Sequence, residues 1–428
     1  MKRLCCVAIC GVLLGCGSKS ADGNVADAGA IDAQGDAHLA DGPSLDAAPE
    51  LGFPAFPPDM PQLSKNAGKV LRAPVIVTVT WPTEPFIDKV NAFSDQLGAS
   101  KYWRAVTAEY GVVGAQSVSA NHVTLIGEPT PKEMTENDVD LFVQSHVGKW
   151  PALSEQTVYL VYLPAETKLT TSAGPACATG TGGYHTSGRT DDGHVIYYAI
   201  IPACPPVFGL SSDDLTATAS HELAEAATDP DTTTGYTGFD HAHLSWDLFG
   251  DFQSEDGDAC EYYEDSYYTE GPDLPFAVQR QWSNASALAG HDPCVPALDG
   301  AYFNVVPFDQ EEVIVDLSAV SGPRRFRAMG YSIAAGSTRT FEVGYFSDAP
   351  SEGWTIDAVQ GGNPMFPSVA TEGDVTATVV SGRSGKNGDR ATISVTVNTP
   401  SPGRYELVTV VSKNAAGRKH YRPILIGN

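Results

Sequence analysis

The pattern of apolar and polar positions divides the chain into two kinds of text. Pro74-Val75-Ile76-Val77-Thr78-Val79-Thr80-Trp81 is a β-branched run bounded by prolines, which predicts a buried strand. Ile87, Val90, Phe93 and Leu97 then recur at helical spacing, as do Tyr102, Trp103, Val106 and Tyr110. Further strands are predicted over 122–126, 158–163 and 194–201, with a helix over 135–147 and a longer one over 212–228. Strands alternating with helices predict an α/β (α+β) layered domain, bounded at residues 67–298. After Pro296 the helical period disappears. Short alternating segments at 312–317, 341–346, 375–380, 391–397 and 405–411 are separated by Gly, Pro and Ser, and Asn387-Gly388 reads as a hairpin turn. Residues 299–428 are therefore expected to form an all-β, Ig-like sandwich.

The amino terminus sets the compartment. Lys2 and Arg3 precede a short apolar stretch, Leu4 to Leu14, and residues 1–15 read as a secretory signal. Leu13-Leu14-Gly15-Cys16 resembles a bacterial lipobox, which implies cleavage before Cys16 and lipidation of its thiol. Gly17, in place of an Asp after the Cys, favours an outer-membrane lipoprotein, periplasmic or surface-exposed. Residues 16–66 are rich in Ala, Asp, Gly and Pro and are predicted to be a disordered acidic tether. Beyond the signal and Cys16 only Cys177, Cys204, Cys260 and Cys294 remain, an even set in an oxidising compartment. Of the three possible pairings, Cys177–Cys204 and Cys260–Cys294 close the shortest loops and are preferred.

The chain of 428 residues has a net charge of −26, which argues against nucleic acid or anionic lipid as an electrostatic partner. Residues 205–299 carry 19 acidic residues and one base, Arg280, whereas residues 300–428 hold 12 of each sign. The excess carboxylate is thus concentrated around one helix, which favours a cation site.

That helix contains Ser220-His221-Glu222-Leu223-Ala224-Glu225 and stops before Pro230. Leu215, Ala219, Leu223, Ala226 and Ala227 form one stripe, and Asp214, Thr218, His221, Glu222, Glu225 and Asp229 fall opposite. His221 and Glu225 are i,i+4 neighbours and can converge on one point. His-Glu-x-x-Glu departs from the His-Glu-x-x-His of metalloproteases at the second ligand, yet Zn2+ accepts carboxylate oxygen as well as imidazole. Glu222 is then placed as general base. The bland reading is a surface helix whose solvent face carries His and Glu.

The acidic loop Ser254-Glu255-Asp256-Gly257-Asp258-Ala259-Cys260-Glu261 supplies a third ligand, with Glu255 preferred and Asp258 or His185 as alternates. The loop fails the EF-hand template, although Ca2+ bound in another geometry is open to it. Asp240-His241-Ala242-His243 is expected to be merely exposed, and Tyr262, Tyr263, Tyr267 and Tyr268 to pack the loop rather than form a carbohydrate platform. Nucleophile-elbow, phosphate-loop and dinucleotide motifs are missing from the sequence.

Four blocks in order resemble the plant EXORDIUM (phosphate-induced protein) family over roughly residues 70–296. They are Ser100-Lys101-Tyr102-Trp103 with Glu109-Tyr110-Gly111; Cys177 with Gly183-Tyr184-His185; His221-Glu222-Leu223-Ala224-Glu225 with Thr228-Asp229-Pro230; and Glu255-Asp256-Gly257-Asp258-Ala259-Cys260. Asp229 stands where the family pattern has Asn, and Asp256-Gly257 where it has Ile-Ala. The resemblance implies an exported protein of the cell surface or wall but carries no settled reaction.

The expectation is therefore a lipid-anchored, zincin-like domain followed by the sandwich. Its leading function is a zinc-dependent hydrolase, most readily a peptidase acting on peptide or a cell-surface polymer at the envelope. The alternatives are a non-catalytic binding or adhesion protein with a structural cation, and a degenerate zincin that keeps the fold without metal.

Overall fold

Side-chain alternation along the parallel strands builds the first layer. The computed structural model describes residues 52–178, 182–204, 213–250, 254–261, 263–268, 273–316, 325–361, 374–400 and 405–427. The signal segment, Cys16 and Tyr262 lie outside them. Strand β1 is Leu63–Lys65, and β2 (Val75–Thr80) pairs in parallel with β3 (His122–Thr124) and with β5 (Thr157–Leu163). The small strand β4 (Glu133–Thr135) pairs with β6 (Lys168–Thr171), beside β7 (Gly174–Pro175). Strand β8 (Tyr184–Arg189) is an antiparallel edge on β9 (Val195–Pro202), giving a five-stranded sheet in the order β3-β2-β5-β9-β8.

Ile76, Val158, Leu160, Ala199 and Ile201 face one way and pack on helices α1 (Ile87–Leu97), α2 (Lys101–Thr107) and α4 (Asp214–Thr228). Val77, Tyr159, Val161 and Ile200 face the other way, against α3 (Glu136–His146) and Trp150. The result is three layers with the sheet in the middle. The described chain as a whole is mostly β-sheet with some helices. The strands predicted at 74–81, 122–126, 158–163 and 194–201 and the helices at 135–147 and 212–228 are present, with ends shifted by a few residues. Strand β8 is an addition.

Strand β10 (Tyr236–Phe239) pairs with β1, and short helices α5 (Leu244–Asp247), α6 (Asp258–Glu261) and α7 (Asn284–Ala289) follow, interleaved with β11 (Tyr267–Tyr268), β12 (Val278–Gln279), β13 (Gln281–Trp282) and β14 (Cys294–Val295). Disulfides join Cys177 to Cys204 and Cys260 to Cys294, the pairing preferred from loop length.

The carboxy-terminal strands are β15 (Phe303–Pro307), β16 (Glu311–Asp316), β17 (Arg325–Ser332), β18 (Thr338–Ser347), β19 (Trp354–Gln360), β20 (Asp374–Ser381), β21 (Ser384–Gly385), β22 (Arg390–Thr399), β23 (Tyr405–Asn414) and β24 (Lys419–Gly427). They form a four-stranded sheet, β15-β18-β22-β20, and a six-stranded one, β16-β17-β24-β23-β19-β21. Phe341, Val343 and Ile393 from the first share a core with Ile356, Val408 and Ile424 from the second, so the region is a β-sandwich.

Two boundaries drawn from the sequence are redrawn. Residues 51–428 belong to one compact unit, because Trp246, Trp282 and Cys294 share a core with Tyr302, Phe346 and Tyr421 across the expected junction at 298/299. Residues 52–66, assigned to the tether, form an ordered strap. Met60 and Leu63 are buried and Phe56 meets Phe308 edge-on. The buried Arg422 guanidinium donates to the carbonyls of Pro58 and Asp59 and pairs with the Asp59 carboxylate. A composition count misses this, because the partner lies more than 350 positions away in sequence.

His243 is not merely exposed: its ring bridges Asp240 and Asp59 at 2.8 and 3.2 Å. Burial opposes the charge on that ring, and the two carboxylates outweigh it, raising its pKa to about 9. The His243 hydrogen bond in turn lowers Asp59 to about 2. A raised histidine contributes stability below its unfolded pKa of about 6.5 and loses it as pH rises through about 9; a depressed aspartate contributes above 3.8 and loses it as pH falls through about 2. The strap is therefore expected to be held best between about pH 4 and 6.5. Hydrogen exchange at Leu63 should accelerate from pH 6.5 to 9, after correction for intrinsic rates, and His243→Ala should flatten the profile. A flat wild-type profile would contradict this.

Candidate metal centre

Five alanines over Asp214–Thr228 favour the helix, and every residue of α4 from Leu215 to Thr228 except Thr218 is buried. The bland expectation of a solvent-facing polar side is therefore corrected: strand β8 and the 254–261 loop cover it. In β8, His185 pairs with Ala199, whose side chain faces α4, and alternation puts the imidazole on that same face. Gly183 and Gly257 allow the approach. A Cβ at Gly257 would lie 2.7 Å from Glu225 Oε1 and 2.9 Å from His221 Cε1, and one at Gly183 would lie 2.7 Å from Glu222 Oε1.

Two donor groups result, each with its ligating atoms within 4.8 Å of one another: His221, Glu225 and Asp258; and His185, Glu225 and Glu255. His221 Nε2 lies 3.0 Å from Glu225 Oε2 and 3.5 Å from Asp258 Oδ1. The residue that completes the His221 group is thus Asp258, while Glu255, preferred from the sequence, joins His185. The turn at Gly257 and the short helix α6 decide this, since Asp258 N donates to Glu225 Oε1 at 3.1 Å and Glu255 N to Asp258 Oδ2 at 3.1 Å. Glu222 belongs to neither group; its Oε2 lies 3.5 Å from His185 Nδ1.

Sequence reasoning missed the residues that orient these rings. Gln279 Nε2 donates to the Gly257 carbonyl at 2.8 Å, so its Oε1 is the acceptor facing His221 Nδ1 at 2.9 Å. Gln279 N in turn donates to Ser220 Oγ, and Tyr102 donates to the Gln279 carbonyl. Asp229 closes the helix by accepting from the amides of Thr234 and Gly235, and its own carbonyl accepts from His185 Nε2 at 3.0 Å. The signal for Gln279 is an amide within the fully buried stretch 276–283, legible only once the strand is known to cross α4.

Burial and like charge dominate the electrostatics. Burial raises the carboxyls of Glu222, Glu255, Asp256 and Asp258. Burial also opposes ionisation of Glu225, but His221 and His185 outweigh it and hold that carboxyl at about 2. Both imidazoles are pushed well above 6.5, because Glu255, Glu222 and Glu225 around His185, and Glu225 and Asp258 around His221, outweigh the burial that lowers them. Five carboxyl groups thus crowd two imidazoles in a buried space, an arrangement that a bound cation would favour. Of the four tyrosines, Tyr263 packs against Tyr421 and Tyr268 against Tyr102.

No protein-family model matches the sequence, and no curated protein does. Partial structural matches include a lipoprotein of Bacteroides thetaiotaomicron, 12% identical, covering 31% of this chain and 85% of that one with a TM-score of 0.19. A conjugative transposon lipoprotein of Bacteroides eggerthii is 12% identical and covers 29% of this chain and 97% of that one, TM-score 0.18. The BIgI domain of the beta protein of S. agalactiae is 13% identical and covers 28% and 95%, TM-score 0.14.

Proposed function

We propose that this chain is an exported, lipid-anchored protein of the cell envelope whose His/carboxylate centre binds zinc and supports hydrolysis of peptide bonds. The supporting observation is the orientation of His221. Gln279 Oε1 holds its Nδ1 side, so Nε2 faces Glu225 and Asp258, and a bound cation would replace the Nε2 proton that these carboxylates hold in its absence. Their spacings of 3.0 and 3.5 Å bracket the donor–donor edge of about 3.3 Å in a tetrahedron with metal–ligand bonds near 2.0–2.1 Å.

Zinc in such a ligand set supplies Lewis acidity and an acidified water. Three protein ligands would leave a position for substrate or water, and Glu222, outside both donor groups and 3.5 Å from His185 Nδ1, would be the carboxylate to take the proton. The zincin-like reading of residues 67–298 rests on this helix motif and is an analogy at the level of fold.

Burial favours a second reading. His221, Glu222 and Glu225 are only 8%, 4% and 2% exposed. A site that closed suits a structural cation, Zn2+ or Ca2+, in a surface binding or adhesion protein whose sandwich contacts glycan or protein.

Glu222→Gln separates the two. For a hydrolase, turnover of a peptide library by zinc-loaded protein should fall about 100-fold or more with metal content unchanged. Failure of metal-loaded wild type to cleave any peptide, or equal cleavage by the variant, would sink the catalytic reading.

A further inference from the structure

We infer that the centre is dinuclear: Glu225 bridges two metal positions, one bound by His221 and Asp258 and the other by His185 and Glu255. This extends the metal-centre reading above and rests on it. The two donor groups have only Glu225 in common, so each has its own histidine and its own further carboxylate.

His185 comes from a different element, the edge strand β8, yet its ring is set up as that of His221 is. Its Nε2 donates to the Asp229 carbonyl at 3.0 Å and lies 3.5 Å from Glu255 Oε1, while its Nδ1 lies 3.5 Å from both Glu225 Oε2 and Glu222 Oε2. Two imidazoles oriented by separate partners, Gln279 for one and Asp229 for the other, both turn a ring nitrogen toward the same carboxylate oxygen, Glu225 Oε2.

An independent observation comes from Glu255. Its Oε1 is buried, and the nearest donor, His185 Nε2 at 3.5 Å, is already directed at the Asp229 carbonyl, so no short hydrogen bond among the described residues satisfies it. A buried carboxylate oxygen in that state is costly unless a cation meets it. A divalent ion at the His221 position would meet Glu225 and Asp258, and a second on the His185 side would meet Glu225 and Glu255, in place of protons shared among these buried groups. Carboxylate-bridged pairs of ions sit about 3.5–4 Å apart, a span one glutamate can bridge.

The experiment is metal counting by mass spectrometry on the intact protein, stripped with chelator and reloaded with Zn2+, supported by the spin-coupling signature of the Co2+-loaded form. Wild type should hold two ions per chain. His185→Ala and, as the conservative partner that preserves shape, Glu255→Gln should each hold one and lose the coupling. One ion per chain in wild type, unchanged by either variant, overturns the dinuclear assignment but leaves a mononuclear centre intact. No ion in folded wild type overturns both.

Discussion

Glu225→Gln is expected to empty the centre and to destabilise the metal-free protein by about 3–5 kcal/mol, the usual cost of removing one member of a buried charged cluster. The substitution preserves the size of the side chain and an acceptor for the Asp258 amide. What it removes is the charge, and Glu225 is the one residue common to both donor groups. Its side chain is 3% exposed, so solvent cannot replace the lost counter-charge for His221 and His185. The two imidazoles would have to shed their protons or rotate away from Gln279 and Asp229. Metal content and urea denaturation of the stripped protein check the two halves separately. A variant with wild-type metal content and stability would show that the cluster is not organised around this carboxylate.

A second large effect is expected at Arg280, the only base among residues 205–299. Its guanidinium is 1% exposed, pairs with Asp265 at 3.1 Å and with Asp292, and donates to the carbonyls of Cys294 and Pro296. Arg280→Met fills the volume but removes the cation paired with the buried Asp292 carboxylate, leaving it the Cys294 amide alone, and takes away the guanidinium donors to two carbonyls. Loss of about 3–5 kcal/mol in urea denaturation is expected. Arg280 is flanked in sequence by Gln279, which orients His221, and metal affinity should fall about 10- to 100-fold as that support loosens. A change below about 1 kcal/mol would mean that the surrounding carboxylates rearrange without cost.

How far these features are legible in the sequence depends on the range of the interaction that creates them. The Leu215–Ala219–Leu223–Ala226 stripe announces α4, and alternation at 391–397 and 405–411 announces sandwich strands, because local periodicity alone carries both. That the polar face of α4 is buried is not local: it depends on β8, whose Thr186-Ser187-Gly188 lacks the apolar alternation of a recognisable strand. Which of Glu255 and Asp258 lies beside His221 turns on a three-residue difference within one loop, set by the turn at Gly257 rather than by any pattern of residue types. Gln279 acts on His221 across 58 positions. The strap escapes for the same reason, since its low apolar content is offset by Arg422 from the far end of the chain.

The most direct test is a zinc titration of chelator-stripped wild-type protein followed by thermal unfolding, with His221→Ala alongside. The account predicts stoichiometric uptake and a rise in Tm with zinc concentration, because an ion that binds only the folded state stabilises it by mass action. It predicts that His221→Ala, while still folded, shows a markedly smaller rise. A folded wild-type protein that takes up no divalent cation, with a Tm indifferent to zinc and to calcium, would contradict the claim that this buried cluster is a metal centre.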